Sequence, residues 1–315
     1  MPWHDVGEMM RNCRALLLAS ALFLWMGCHP NIEKLVPDIG NVGDVIDIRD
    51  PAKGSLEIEG TVLFDSIEAD VLYRSSEDVF VEVPPGIAGE VPVQVVILGQ
   101  ESDPLAFLVL DGVELFKILC FGDSIIYLGV PEALQGLMEE DPYWSGLNPV
   151  ALNQGRASEV AARLKTRLRW SRALDFHAPH IAIFLEGTND VSDDAALPME
   201  EIQQSVAEMM EEAVLGGVDL VACTLLPRVG SCRDVESPTT EEFNQWLRSY
   251  TDGLGIPLVD VYEDFVSTPG WEAVFFNGDC THPNEQGRQR IAELLEGKLE
   301  EMVLPSRTGP DRDGG

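Results

Sequence analysis

The sequence predicts an α/β domain with a parallel sheet and helices on both faces, preceded by a small all-β sandwich. After residue 114, continuous apolar runs alternate with segments of helical period, which is typical of parallel strands connected by helices. Before residue 110, short apolar runs alternate with glycine and proline turns, which is typical of an all-β domain. Hydrophobic residues make up 45% of the 315-residue chain, enough for ordinary globular cores.

Residues 1–27 have the features of a targeting segment rather than of a folded element. Arg11 and Arg14 precede an apolar run at residues 15–26, which is too short to span a bilayer. The run ends at Gly27-Cys28, which resembles the lipobox of bacterial lipoproteins, where a cysteine after a small residue carries the lipid. The resemblance implies an extracytoplasmic lipoprotein anchored through Cys28. A secreted protein with a plain cleaved signal and a retained membrane anchor are the alternatives.

Residues 31–110 form the predicted all-β domain, with strand-like runs at residues 45–48, 79–83 and 91–97. Several such runs between turn residues predict a small β-sandwich. The opening Leu35-Val36-Pro37-Asp38-Ile39-Gly40 and the closing Val91-Pro92-Val93-Gln94-Val95 resemble the IPT/TIG immunoglobulin-like family. That resemblance implies an immunoglobulin-like spacer or binding module with no chemistry of its own.

Residues 114–304 form the predicted α/β domain. Its apolar strands are predicted at residues 115–121, 181–185, 218–223 and 256–260. Its helices are predicted at residues 158–169, 199–215, 239–253 and 284–302, the third of them capped by Thr239 with Glu242 as the reciprocal acid. The polar, glycine-rich residues 305–315 are predicted to be a disordered tail.

The charge of the chain excludes several classes of partner. There are 54 acidic and 21 basic side chains, a formal net charge of −33, which repels nucleic-acid phosphates and anionic lipid surfaces. We therefore expect no nucleic-acid partner, and membrane contact only through the lipid anchor. The sequence has no dinucleotide-binding glycine motif, no phosphate-binding loop and no metal-ligand spacing. No cofactor and no metal are expected.

Four short motifs follow predicted strands or precede a predicted helix. Gly122-Asp123-Ser124 follows the first strand of the α/β domain, and Asn153-Gln154-Gly155 follows an apolar run at residues 150–152. Gly187-Thr188-Asn189-Asp190 follows the strand at residues 181–185, and Asp279-Cys280-Thr281-His282 precedes the last helix. Functional groups of parallel sheets lie at the carboxyl ends of the strands, so these motifs are expected to meet there.

Ser124 and His282 are the candidate nucleophile and base. A serine hydroxyl needs a base within hydrogen-bond reach, and histidine is suited to this near neutral pH. The other four histidines lie in or beside the targeting segment or at the amino end of a strand: His4, His29, His177 and His180. Asp279 lies three residues before His282, so one loop can present both, and a carboxylate on the far imidazole nitrogen fixes the tautomer.

The four motifs together resemble the SGNH hydrolases, also called the GDSL-type esterase/lipase family. The resemblance implies a flavodoxin-like sheet, a triad of Ser124, Asp279 and His282, and an oxyanion hole formed by the Ser124 backbone N–H, the Asn189 amide and a glycine N–H. The chain departs from the family at that glycine, because Ser158 occupies the position. Its Cβ narrows the allowed backbone angles and can crowd the pocket.

The sequence thus predicts an exported serine esterase acting on short-acyl esters, such as acetylated carbohydrate at the cell surface or outside the cell. The alternatives are a lipase-like or thioesterase activity on longer chains and a catalytically weak binding or adhesion lipoprotein. Locally, Ser124 could instead cap a helix, Asn189-Asp190 could be a capping pair, and Asp279 and His282 could form a surface turn. Tyr143 and Trp144 could stack on a sugar or fill a core.

The predicted α/β domain contains four cysteines. Because an exported protein permits disulfides, a pair between Cys223 and Cys232 across a short loop is the favoured pairing among Cys120, Cys223, Cys232 and Cys280. Buried free thiols are the alternative.

Overall fold

The computed structural model describes residues 30–50, 56–192, 197–230, 233–276 and 278–307. The chain divides into two compact units, Met1–Gly112 and Val113–Gly315. The predicted targeting segment with Cys28, the cysteine at position 232 and residues 308–315 lie outside the described residues. Over the described ranges, no helix combines the length and the apolar character needed to cross a membrane.

The first unit is built from two sheets that share one hydrophobic core. The strands are β1 (Lys34–Val36), β2 (Ile39–Asn41), β3 (Val45–Arg49), β4 (Gly60–Phe64), β5 (Ile67–Ala69), β6 (Val71–Arg74), β7 (Asp78–Glu82), β8 (Gly89–Ile97), β9 (Gln100–Glu101) and β10 (Leu105–Leu110). One sheet has the order β1-β3-β7-β6, and the other has the order β2-β10-β8-β4-β5 with β9 paired to β8. Only β2 and β10 pair in parallel among these strands of the described chain.

Alternating side chains explain how these sheets bury one face. In β8, Val91, Val93, Val95 and Ile97 are buried, while the residues between them are exposed or half-buried. They join one core with residues of the other sheet such as Ile48. The strands predicted at residues 45–48, 79–83 and 91–97 are confirmed as β3, β7 and β8.

The second unit alternates strands and helices. Its strands are β11 (Phe116–Gly122), β12 (Pro149–Gly155), β13 (Ile181–Leu185), β14 (Asp219–Cys223) and β15 (Leu258–Val259). Its α-helices are α1 (Ser124–Tyr127), α2 (Val130–Glu140), α3 (Leu164–His177), α4 (Met199–Leu215), α5 (Arg233–Leu254), α6 (Val261–Ser267), α7 (Trp271–Phe275) and α8 (Glu285–Arg307), with a 3-10 turn at Trp144–Gly146.

The five strands of this unit form a parallel sheet with the order β12-β11-β13-β14-β15. Counted along the domain, this is the 2-1-3-4-5 order of flavodoxin-like folds. The strand order reverses between β11 and β13, and the carboxyl ends of these two strands therefore border the crevice in which such sheets bind ligands. The predicted parallel α/β fold is confirmed.

Helices cover both faces of the parallel sheet. Residues 118–122 of β11 are all buried, as expected for a strand that packs on both sides. On one face, Ile118 and Cys120 join a core with α2 and α8. On the other face, the Phe121 ring meets Trp170 of α3 edge-on at 4.8 Å.

Two predicted helix starts are wrong. The helix predicted from residue 158 begins at Leu164, because Ala161 and Ala162 donate their backbone N–H groups to the Asp190 carboxylate at 2.8 and 2.9 Å. The helix predicted from Thr239 begins at Arg233, so Thr239 lies inside it and the predicted capping box is not formed. In addition, α8 continues to Arg307, beyond the predicted start of the tail at residue 305.

Candidate active site

Ser124 lies at the carboxyl end of β11, as the first residue of the short helix α1. The cap of that helix is Asp123, whose Oδ1 accepts a hydrogen bond from the Ile125 N–H at 2.9 Å. Ser124 is therefore not the capping residue, and its hydroxyl is available for another partner. The backbone N–H of a first helical residue has no acceptor within its own helix, which leaves the Ser124 N–H able to bind an anion.

The structure brings Ser124, His282 and Asp279 together. Ser124 Oγ lies 2.8 Å from His282 Nε2, although 158 positions separate the two residues in the sequence. His282 Nδ1 lies 3.1 Å from Asp279 Oδ2. This chain of hydrogen bonds places a base on the serine hydroxyl and a carboxylate on the far side of the base, which is the arrangement that moves a proton away from an attacking serine.

Asp279 is held in its ionised form by the loop that carries it. Partial burial raises the pKa of Asp279, but the His282 and Thr281 backbone N–H groups and the His282 ring outweigh this and lower the pKa below its usual value. The two backbone bonds to Asp279 Oδ1 measure 2.6 Å from His282 and 2.8 Å from Thr281. Asp279 is therefore a carboxylate that fixes both the loop and the imidazole, not a partner in a surface turn alone.

The histidine loop is also anchored at its downstream end. Asn284 donates its backbone N–H to the Phe275 carbonyl at 2.8 Å and its side-chain amide to the Val274 carbonyl at 2.9 Å. Its Oδ1 accepts from the Gly287 N–H in the first turn of α8. These bonds connect α7, the loop and α8, so the position of His282 is set by two helices.

Asn189 lies beyond the carboxyl end of β13, beside the strand that carries Ser124. Its Nδ2 donates to the Glu159 carbonyl at 2.7 Å, which uses one of the two N–H groups of the amide and leaves the other for a ligand. The neighbouring Asp190 accepts from Ala161 and Ala162. The capping-pair alternative is therefore replaced by a cross-loop connection between residues 187–190 and 158–162.

Ser158 adopts the backbone conformation that a glycine would favour. It lies in a turn, its φ is +59°, and its side chain is exposed. The chain therefore keeps a glycine-like turn in spite of the Cβ, although a left-handed conformation costs an L-residue about 1–2 kcal/mol. Its backbone N–H remains a candidate third donor beside the Ser124 N–H and the Asn189 amide.

Replacing Ser158 with glycine is expected to raise the free energy of unfolding by about 0.5–1 kcal/mol. The reason is that the relief of left-handed strain exceeds the added entropy of the unfolded chain. Urea denaturation of the Gly and Ala variants measures this, because Ser158→Ala keeps the Cβ and should show no gain. Equal stability of the two variants would contradict the strain argument.

Gly155 shows why a glycine ends β12. A Cβ at this position would lie 2.1 Å from the Tyr127 backbone nitrogen, so only glycine lets β12 approach α1 this closely. The preceding Asn153 donates its amide to the Glu132 carboxylate at 3.0 Å and accepts from the Gly155 N–H at 3.0 Å. The Asn153-Gln154-Gly155 motif is therefore a packing element beside Ser124.

A group of buried acids borders the site: Asp123, Glu159, Glu186 and Asp190. Glu159 forms a buried ion pair with Arg169, whose Nε donates at 2.9 Å. Glu186 has no hydrogen-bond partner for either carboxyl oxygen within the described chain, and burial together with the neighbouring acids raises the pKa of Glu186 well above its usual range. These surroundings favour the protonated form of the Glu186 carboxyl.

Asp123 makes the stability of the protein depend on pH. Burial raises the pKa of Asp123 from 3.8 to about 6, against the opposing effects of the Ile125 N–H, Thr188 and Arg228. Between these two values the folded state binds more protons than the unfolded state, so the free energy of unfolding falls as pH rises through about 6. The stabilisation that protonated Asp123 contributes is fully present only below its unfolded-state pKa of 3.8.

Replacing Asp123 with asparagine is therefore expected to stabilise the protein at pH 8 by on the order of 2–3 kcal/mol and to change little at pH 4. The amide stays neutral and keeps its oxygen as the acceptor for the Ile125 N–H. Urea denaturation at the two pH values measures the difference, with Asp252→Asn on the exposed face of α5 as the control. A gain of the same size at both pH values would sink the prediction.

Other candidate residues have structural roles. The proposed disulfide from Cys223 is wrong, because Cys223 is a buried free thiol, as is Cys120. Cys280 is disulfide-bonded, and its partner lies outside the described residues. His177 is buried with its Nε2 3.0 Å from the Gln154 amide, whereas His180 Nδ1 accepts from the Lys117 N–H at the amino end of the sheet.

The aromatic pair after α2 belongs to the core. Trp144 is completely buried in the cluster formed by α2, α8 and one face of the sheet. Tyr143 packs edge-on against it at 5.0 Å. Trp144 therefore fills the core and is not exposed to stack on a sugar.

Arg228 and Glu186 are residues of the site region that the sequence motifs do not identify. Arg228 follows β14 and is buried beside Thr188 and Thr281. The sequence feature that points to it is its place after an apolar strand, at the functional edge of a parallel sheet. Glu186 directly follows β13, which is the same feature.

Serine hydrolases are defined by a serine that is hydrogen-bonded to a histidine. The structure has this pair at the carboxyl edge of its parallel α/β sheet. The chain belongs to the GDSL-like lipase/acylhydrolase family, whose model matches residues 120–290. No curated protein sequence is similar enough to match the chain.

Solved structures share the fold of the second unit. A lipase/acylhydrolase from Enterococcus faecalis is 16% identical, with 59% of this chain and 96% of that chain covered and a TM-score of 0.52. An alpha/beta hydrolase enzyme from the metagenome of Lake Arreo, Spain, is 20% identical over 58% and 94%, with a TM-score of 0.51. An acetyl xylan esterase is 19% identical over 58% and 99%, with a TM-score of 0.50. At these identities the similarity shows the fold alone.

Proposed function

We propose that the protein is a carboxylic ester hydrolase in which Ser124 is the nucleophile. The observation that carries the proposal is the 2.8 Å contact between Ser124 Oγ and His282 Nε2, continued by the 3.1 Å contact to Asp279. Acylhydrolase membership limits the substrate to acyl compounds, of which esters are the ones proposed here.

The reaction follows from the positions of these groups. Ser124 Oγ attacks the acyl carbon while its proton passes to His282 Nε2, and Asp279 stabilises the resulting imidazolium. The Ser124 N–H, the Ser158 N–H and the Asn189 amide are proposed to bind the oxyanion. His282 then protonates the leaving alcohol, and a water molecule, deprotonated by His282, releases the acyl group.

Short-acyl esters, such as acetyl groups on carbohydrate at the cell surface or outside the cell, are the proposed substrates. Two considerations support this choice. Ser158 adds a Cβ and a hydroxyl beside the proposed oxyanion donors, where a glycine would add neither, and this favours a small acyl group. One solved structure of the same fold is an acetyl xylan esterase.

An acyl-chain series on the purified protein tests this proposal. We expect kcat/KM for p-nitrophenyl esters to be highest for acetate and to fall steadily toward long chains. A maximum at long chains would replace the proposal by a lipase-like or thioesterase activity. No hydrolysis of any ester, together with no effect of replacing Ser124, would favour the binding or adhesion lipoprotein instead.

We also propose that the protein is exported and anchored by lipid at Cys28, and that the first unit is an IPT/TIG-like module. The apolar run before Cys28 supports the anchor, and two sheets around one core support the module. Labelling with a radioactive fatty acid tests the anchor. A Cys28→Ala protein that still partitions with membranes would overturn it.

A further inference from the structure

Arg228 is a buried cation that contacts two loops of the proposed active site. Its side chain is 4% exposed. One terminal nitrogen donates to Thr281 Oγ1 at 2.8 Å, and the other donates to the Thr188 carbonyl at 2.7 Å. Its positive charge also acts on the buried Asp123 carboxyl.

The two residues that Arg228 bonds have one property in common. Each directly precedes a residue of the proposed machinery, since Thr188 precedes Asn189 and Thr281 precedes His282. One planar guanidinium, with its donors in a fixed fork, therefore connects the two chain segments that supply an oxyanion donor and the base.

We propose that Arg228 is a positioning residue, which holds Asn189 and His282 in register through the residues that precede them. This inference rests on the proposed function. Arg228 does not touch the reacting atoms, so its effect on the reaction is geometric and passes through the two loops.

Arg228 anchors the histidine loop upstream of the bonds that Asn284 makes. Asp279 is 54% exposed and His282 is 38% exposed, so little packing restrains them. Thr281 connects the two parts, since its hydroxyl accepts from Arg228 while its N–H donates to Asp279 Oδ1 at 2.8 Å. The next residue along the Arg228 segment, Val229, donates its N–H to the Cys280 carbonyl at 3.2 Å.

A displacement of about 1 Å in a catalytic group can cost about 100-fold in rate. We therefore expect Arg228→Ala to lower kcat for p-nitrophenyl acetate by about 100-fold while KM changes less than about threefold. Arg228→Lys keeps the charge but loses the fork, and a fall of about tenfold is expected. Thr281→Val removes one acceptor without removing the charge and should give a similar fall.

Chemical rescue separates positioning from a purely structural role. Guanidinium ion at millimolar concentration is expected to raise the kcat of Arg228→Ala at least about tenfold. Sodium chloride at equal concentration should not raise it. Arg248→Ala is the matched control, because this variant also loses two side-chain hydrogen bonds, here to the Asp260 carboxylate, and these bonds involve no residue next to the proposed site. Its kcat should stay within about threefold of the parent.

The outcomes are distinguishable from a failure of the proposed function. Parent protein that hydrolyses no ester would overturn the function itself. With an active parent, a folded Arg228→Ala protein that keeps kcat within threefold would overturn the positioning role. A loss that only matches the unfolded fraction, without guanidinium rescue, would overturn it too. If Arg228→Ala does not fold, the lysine and Thr281→Val variants decide, and unchanged kcat in both counts against the proposal.

Discussion

Replacing Ser124 with alanine is expected to lower kcat for p-nitrophenyl acetate by about 10⁴–10⁶-fold, the range that loss of the nucleophile causes in serine hydrolases. The methyl group cannot form the acyl-enzyme, and His282 Nε2 loses the hydroxyl that lies 2.8 Å away. What remains is the substrate-binding surface and the proposed oxyanion donors, which alone are expected to give a small rate above that in water. Steady-state kinetics on the purified protein measure the change.

The control for this substitution is Ser249→Ala. Ser249 is an exposed serine of α5 whose hydroxyl donates to the Gln245 carbonyl within the same helix. The control should keep full activity, and a fluorophosphonate probe should label it but not the Ser124→Ala protein. Labelling that persists in the Ser124→Ala protein would assign the nucleophile to another residue.

Replacing His282 with alanine is expected to lower kcat nearly as much as replacing Ser124, because a serine without its base is not activated. The two losses should not add. A protein with both substitutions is expected to lie within about tenfold of either single variant, since residues that act as one unit lose their common function once.

His180→Ala is the matched histidine control. Its ring stacks on Phe116 and accepts from the Lys117 N–H at the amino end of the sheet, opposite the edge that carries Ser124. Its activity should match that of the parent. Additive losses in the Ser124 and His282 double variant, or a large loss in His180→Ala, would mean that the 2.8 Å contact is not the catalytic one.

Periodicity predicts the buried strands well. Ile181–Leu185 is found with the predicted bounds, and the helix Met199–Leu215 is found with both ends correct. Both are long or continuous apolar patterns between clear turn residues, so local sequence is sufficient. By contrast, α2 and α6 are not predicted from the sequence. Their apolar positions are few, and such a short pattern does not distinguish a helix from a loop that packs on the sheet.

The first wrong helix start has a tertiary cause. The sequence near residue 161 does not indicate that its N–H binds Asp190, a residue 29 positions away. The Thr239 capping pattern is locally sound, yet the chain continues the helix six residues upstream to Arg233. Boundaries depend on such contacts more than the existence of an element does.

The predicted site residues are found at the expected edge of the sheet, whereas the residues that support them are not visible in the sequence. Ser124, Asp279 and His282 lie in short motifs with chemistry of their own. Arg228 has no motif, since its importance comes from two neighbours that are 40 and 53 residues away in the chain. Only the folded sheet brings these neighbours together.

The long separation between Ser124 and His282 has a consequence for folding. Contacts between distant positions form slowly, because the chain must close a large loop before the contact stabilises it. Helices with local contacts, such as Met199–Leu215, can form early, but His282 reaches Ser124 only when residues near the C-terminal helix have docked. Ester hydrolysis regained during refolding therefore reports completion of the whole domain, and it should lag behind the recovery of helical circular dichroism.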